Sequence, residues 1–267
     1  MIDTHTHTAF SADSTESPDK LILSAIDKGI KYLAITDHVD RDYLYGNIRQ
    51  TRQIVMEEYY PAIIELKEKY KGRIIIGVGA EFGYTKQAIP LYKEITVKYP
   101  DLDIIINSVH TIKGDDAYFP EFFTNIDKVS AYKLYLEAIL ESLSVNYDFD
   151  IISHLGYITR NAPYPDKALY YDEFRELIDQ ILITIISKHK ALEINTRSAS
   201  HNSPFMPSKE IIIRYKELGG ELISFGSDAH KAVDVGNGYK TVKDFLTSLG
   251  YRYITSFIKH KPIMNEL

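Results

Sequence analysis

Seven short β-branched runs recur along the chain, each followed by a stretch with helical periodicity, and this alternation constrains the fold more than any other sequence feature. The runs occupy residues 1–5, 31–37, 73–80, 102–109, 149–153, 191–195 and 222–227. Strands that alternate with helices pair in parallel, because each helical crossover returns the chain to the same end of the sheet. Ile74-Ile75-Ile76 and Ile104-Ile105-Ile106 are apolar on both faces, as strands must be when helices cover one side and an opposite wall the other. The expectation is an α/β barrel.

Between the runs the helix signals are conventional. Ser17-Pro18 supplies a cap and a first-turn proline ahead of Leu21, Ile22, Ala25 and Ile26, and Gly29 follows as the stop. Leu177, Ile178, Ile181, Leu182 and Ile185 form an i, i+3, i+4 stripe between the fifth and sixth strands, which packs a helix on the sheet and carries no chemistry. Residues 111–126 and 197–208 read as long irregular loops, the kind that forms sites in compact domains.

A length of 267 residues suits one large α/β unit, and residues 1–267 are read as a single domain. With 45% hydrophobic and 25% charged residues the chain can bury a core, which excludes disorder. Its 31 basic against 37 acidic residues contain no run of like charge, so no nucleic-acid partner is expected. The absence of cysteine removes disulfides, thiolate metal sites and cysteine nucleophiles, and fits a reducing compartment. Any metal must be held by nitrogen and oxygen. The start lacks a basic segment followed by an apolar one, and no uncharged apolar run approaches the roughly 18 residues a membrane span needs. A soluble cytoplasmic protein with no membrane partner is expected.

Six of the nine histidines, His5, His7, His38, His110, His154 and His230, fall within a few residues of the C-terminal end of an expected strand. In a barrel of parallel strands those ends share one rim, so residues far apart in sequence converge. His5-Thr6-His7 has i, i+2 spacing, which in extended backbone turns both imidazoles to one face. Thr36-Asp37-His38, Gly79-Ala80-Glu81, Ser108-Val109-His110, Ser153-His154 and Asp228-Ala229-His230 end five further strands. Each alone could be a hydrogen-bonded loop residue. Six imidazoles and several carboxylates on one rim need a positive organiser, and divalent metals accept both ligand types. Asp13, in the loop beyond His7, is a further oxygen ligand candidate. His189, His201 and His260 fall on a helix end, in a loop and in the tail, and are left out of the site.

On these residues the sequence resembles the PHP (polymerase and histidinol phosphatase) superfamily of metal-dependent phosphoesterases, and within it the histidinol-phosphate phosphatases. His5-Thr6-His7, Thr36-Asp37-His38, Glu81, Ser108-Val109-His110, Ser153-His154 and Gly226-Ser227-Asp228-Ala229-His230 match its ordered motifs, and Leu192-Glu193-Ile194-Asn195-Thr196 the segment between the last two. The resemblance runs nearly end to end and implies a distorted seven-stranded (β/α)7 barrel, TIM-like, with two or three divalent metal ions. It implies that His5, His7, Glu81 and Asp228 hold one metal, that Glu81 bridges to a second held by His110 and His154, and that a third takes Asp13, His38 and His230. Many relatives carry histidine where Asp13 stands. Zinc, manganese and iron all suit such a ligand set.

The resemblance further implies hydrolysis of L-histidinol phosphate, a step of histidine biosynthesis, by a metal-activated water. Arg160, six residues past His154, and Arg197, directly after Glu193-Ile194-Asn195-Thr196, should face the rim and bind the phosphate, because a guanidinium donates paired hydrogen bonds and stays charged. Asp228 or His230 is a candidate to protonate the leaving oxygen, and Asp40, Arg41, Tyr157 and Ser198 lie near loops that could read the substrate's cationic end. The motifs also permit phosphotyrosine, a sugar phosphate or a nucleotide as substrate. Amidohydrolases share the opening HxH but bridge their metals with a lysine on the fourth strand, where this chain has His110. A degenerate scaffold would have lost ligands, and none of the expected positions is apolar.

Overall fold

The computed structural model describes residues 1–45, 48–197 and 203–267. Ser198 and His201 lie outside the described residues. In chain order the strands are β1 (Ile2–Asp3), β2 (Tyr32–Ile35), β3 (His38–Tyr45), β4 (Ile48–Gln53), β5 (Ile75–Gly83), β6 (Ile104–Ser108), β7 (Thr111–Ile112), β8 (Asp115–Asp116), β9 (Ile151–Ile152), β10 (Ala191–Asn195), β11 (Ile223–Gly226), β12 (Tyr253–Ile258) and β13 (Lys261–Glu266). The helices are α1 (Pro18–Asp27), α2 (Met56–Lys69), α3 (Ile89–Lys98), α4 (Lys128–Ser142), α5 (Arg175–Ser187), α6 (Lys209–Glu217) and α7 (Tyr239–Ser248).

The expected parallel barrel is present. Seven strands run side by side in the order β1-β2-β5-β6-β9-β10-β11, and every pairing between them is parallel. The ring then closes from β11 to β1 through three backbone bonds: Thr4 N to Phe225 O (2.9 Å), Asp228 N to His5 O (2.9 Å) and His7 N to Ala229 O (2.8 Å). Of the expected strands, the first and fifth are proportionally the most shortened, to Ile2–Asp3 and Ile151–Ile152. Beyond Asp3 the chain keeps only a single bridge, Thr6 to Ala229, and β9 stops where His154 turns to a φ of +26°.

The packing explains why the helices sit where the sequence places them. Leu21, Ile22 and Ala25 of α1 and Ile178, Ile181, Leu182 and Ile185 of α5 are fully buried against the sheet, each worth about 1.5–3 kcal/mol when a side chain of the size of leucine or isoleucine leaves water. Ser17 occupies the N-cap position of α1, but its hydroxyl makes no capping bond and Pro18 alone sets the start. Gly29 takes the left-handed φ of +71° that ends the helix. Among the described residues, no helix is long and apolar enough to cross a membrane.

Three features depart from the sequence reading. His38 does not end the second strand but begins β3, which runs parallel to β5 from His38 to Asp40 and then folds back on β4 as an antiparallel hairpin. Residues 111–126 are not a plain loop, since they contain the β7–β8 hairpin and a short 3-10 helix at Pro120–Phe123. The tail forms a third hairpin, β12–β13, in which Tyr32 Oη donates to Phe257 O (2.7 Å) and ties the hairpin to the barrel wall.

Candidate metal centre

All nine residues expected to bind metal meet at the C-terminal rim. Glu81, at the end of β5, is fully buried at their centre. Its Oε2 lies 2.7 Å from His38 Nδ1, 3.4 Å from His5 Nε2 and 3.6 Å from His7 Nε2. Its Oε1 faces the other way, 2.9 Å from His154 Nε2 and 3.4 Å from His110 Nε2. Asp228 Oδ1 lies 3.4 Å from His7 Nε2, and Asp13 Oδ2 lies 3.1 Å from His230 Nε2 and 3.7 Å from His38 Nε2.

Backbone geometry aims two of these side chains. Asp228 holds a φ of +53° and His154 one of +26°, conformations that cost a non-glycine residue energy and persist only where neighbours enforce them. Asp228 is pinned by its N–H on His5 O, and His154 by its N–H on Glu193 Oε2 (2.8 Å).

The donor set fits divalent cations. Among the described residues, His5 Nε2, His7 Nε2, His38 Nδ1 and Glu81 Oε2 are buried without a hydrogen-bond partner, although Glu81 Oε2 has three imidazole nitrogens around it. Buried polar atoms that approach closely but do not hydrogen-bond are costly alone and are stabilised when they share a cation. Among the described residues, four overlapping groups have ligand atoms close enough for one ion each: His5, His7 and Glu81; Glu81, His110 and His154; His7, His38 and His230; and His38, Asp40 and His110.

The electrostatics agree. Burial raises the Glu81 carboxyl, but His5, His38 and His110 outweigh it and hold Glu81 well below the usual carboxylate range. Burial likewise opposes ionisation of Asp228, and Arg197, His5 and Arg160 overcome it. Burial disfavours charge on His110, yet Asp40 and Glu81 push it up to about 10. His7 is driven down, first by burial and then by His38 and His230. A site that crowds proton-binding imidazoles around fixed negative charge exchanges those protons readily for metal.

The two arginines sit at the rim as expected, and both engage Asp228. Arg160 Nη2 donates to its Oδ2 (2.8 Å) and Arg197 Nη1 to its Oδ1 (3.0 Å). Tyr157 packs its ring against His110 and His154 with the Arg160 guanidinium 5.0 Å from its centroid. Arg41 is exposed. Asp40 is buried with its carboxylate 3.2 Å from His110 Nδ1, so it serves a histidine rather than lying open at the rim as a substrate reader.

Sequence reasoning gave no role to Glu193 and Asn195. Asn195 Oδ1 accepts from Arg160 Nη2 (3.4 Å) and Arg197 N (3.1 Å), and its Nδ2 donates to Glu193 Oε2 (3.1 Å). The available signal was two polar residues on one face of a strand otherwise built of Ala191, Leu192 and Ile194.

The PHP domain family model matches residues 3–197. The chain is 31% identical to a histidinol-phosphatase of Lactococcus lactis over 266 residues, covering 99% of this chain and 97% of that protein. It is 25% identical to a histidinol-phosphatase of Bacillus subtilis, covering 89% and 96%. The fold superposes with a TM-score of 0.86, 30% identity and 98% coverage of both chains on the crystal structure of a histidinol phosphate phosphatase from Lactococcus lactis complexed with zinc, L-histidinol and phosphate. This chain belongs to the PHP domain family, on its histidinol-phosphatase branch.

Proposed function

We propose that this protein is a metal-dependent phosphomonoesterase that hydrolyses L-histidinol phosphate to L-histidinol and inorganic phosphate, a cytoplasmic step of histidine biosynthesis. The observation that carries this reading is the central position of Glu81, with one oxygen facing His5, His7 and His38 and the other His110 and His154. The relative of known structure that binds zinc, L-histidinol and phosphate supports the substrate. Residues 1–267 act as one domain in this reading.

His5, His7, Glu81 and Asp228 would hold one ion, Glu81, His110 and His154 a second, and Asp13, His38 and His230 a third, of zinc, manganese or iron. Such ions activate water near neutral pH and neutralise phosphoryl charge. Arg160 and Arg197 bind the remaining phosphoryl oxygens, and Asp228 holds both guanidinium groups in place before substrate arrives. As the ester P–O bond breaks, the departing alkoxide takes a proton. Asp228 is held ionised and is a poor donor, and His230 accepts from Arg197 Nη1 at Nε2 (2.9 Å) while its Nδ1 donates to Asp228 O (3.0 Å), so neither side chain offers that proton and water supplies it.

The test is phosphate release by the metal-loaded enzyme from L-histidinol phosphate, phosphotyrosine, a hexose phosphate and a nucleotide. A kcat/KM for L-histidinol phosphate far above the others is expected. Equal or better hydrolysis of another ester would move the enzyme to a different substrate.

A further inference from the structure

Two buried carboxylates stand behind the metal-facing histidines, each in space that a missing Cβ leaves open. Glu193 Oε1 lies 2.6 Å from His5 Nδ1, and both residues are fully buried. Its Oε2 accepts from His154 N and Asn195 Nδ2, so both oxygens are engaged and the side chain cannot drift. Asp40 lies with its two oxygens 3.2 and 3.3 Å from His110 Nδ1. A Cβ on Gly226 would collide with Glu193 Oε1, and one on Gly83, the strand partner of Asp40, with Asp40 Oδ1.

We propose that Glu193 and Asp40 are positioning residues that hold His5 and His110 with the proton on Nδ1 and the Nε2 lone pair turned toward Glu81, and that Gly226 and Gly83 are glycines to make room for them. This rests on reading the rim as a metal centre. A neutral imidazole carries one N–H, so a carboxylate at Nδ1 decides which nitrogen is free to bind. The opposite nitrogens point as required: His5 Nε2 is 3.4 Å from Glu81 Oε2 and His110 Nε2 3.4 Å from Glu81 Oε1. His7 is served at one remove. Ser11 Oγ donates to Asp37 Oδ1 (2.6 Å), which leaves its lone pairs to accept from His7 Nδ1 (3.3 Å). Outer carboxylates of this kind raise ligand basicity as well as fixing the ring.

The experiment uses zinc as the probe, with affinity measured by competition against a chromophoric chelator and imidazole tautomers read by nitrogen-15 NMR of the zinc-loaded full chain. Wild-type His5 and His110 should show Nδ1–H with zinc-bound Nε2. Glu193→Gln and Asp40→Asn should each weaken zinc by about 10–100-fold in protein that remains folded, and Glu193→Asp should recover part of the loss. Nε2–H tautomers in the wild type, or wild-type zinc affinity in both variants, would overturn the proposal while leaving the metal centre intact. A wild type that binds no zinc would overturn both. The wild-type tautomer measurement stands even if a variant fails to fold.

Discussion

At the N-terminal end of the barrel, Asp103 and Asp150 are as deeply buried as Glu81 at the other end, but their oxygens are answered by protein donors. Asp103 accepts from Lys67 Nζ (2.5 Å), Val78 N (3.0 Å) and Lys259 N (3.2 Å), and Asp150 from Ile105 N (2.7 Å) and His260 Nδ1 (2.8 Å). Glu81 Oε2, among the described residues, has imidazole nitrogens nearby and no hydrogen bond. The difference separates structure from chemistry. The lower carboxylates lock the β12–β13 hairpin onto the barrel through protein donors, whereas the upper set carries ligand atoms grouped closely enough to take a cation.

The sharpest way to break this contrast is Glu81→Gln. Removing the shared charge should strip metal and lower kcat/KM by about 10³-fold or more, equivalent to about 4 kcal/mol of transition-state stabilisation. Retained metal content with wild-type turnover would show that the rim does not depend on Glu81.

Chelation should next distinguish the two ends by stability. A ligand present at about 100 times its Kd adds about 2.7 kcal/mol, or roughly 5–10 °C in Tm for a chain of this size. The wild type should lose that increment on chelation, and Asp103→Asn should have a lower Tm but lose the same increment. An Asp103→Asn protein that no longer responds to chelator would mean the two ends are not independent.

Arg160→Ala and Arg197→Ala probe the phosphate contact. With metal content unchanged, each should cut kcat/KM by about 10–100-fold, largely through KM. If neither raises KM nor lowers kcat/KM, the phosphate assignment is wrong.

The smallest effect belongs to the lower lock. The hydrogen bond to Asp150 raises the pKa of His260 in the folded state above its ordinary 6.5. Its contribution is therefore fully present below pH 6.5 and lost as pH rises through the raised value. Wild-type Tm should fall toward that of His260→Gln as the pH is increased, and parallel Tm curves for the two proteins would remove His260 from the lock.

Much of the rim was legible because parallel strands deliver their C-terminal ends to one place whatever the intervening loops do. Strand position alone brought His5, Glu81, His154 and Asp228 together, although 223 residues of sequence separate the first from the last. What stayed hidden depends on partners rather than position. Glu193 meets His5 across 188 residues, and nothing local in Leu192-Glu193-Ile194 reveals which nitrogen it serves. Asp40 looked like a rim carboxylate because β3 was not anticipated: Val39-Asp40-Arg41-Asp42 and Ile48-Arg49-Gln50-Thr51-Arg52-Gln53 lack the alternation that marks a strand. The β-rich Tyr253-Ile254-Thr255-Ser256-Phe257-Ile258 likewise forms β12 outside the repeating βα pattern that guided the reading.

The most direct measurement is phosphate release from L-histidinol phosphate by the purified protein, before chelation, after it, and with zinc, manganese or iron restored. The account predicts release that stops on chelation and returns with metal, far exceeding that from generic phosphomonoesters. Release that persists undiminished in the metal-free protein, or none from folded protein loaded with any of the three metals, would contradict it.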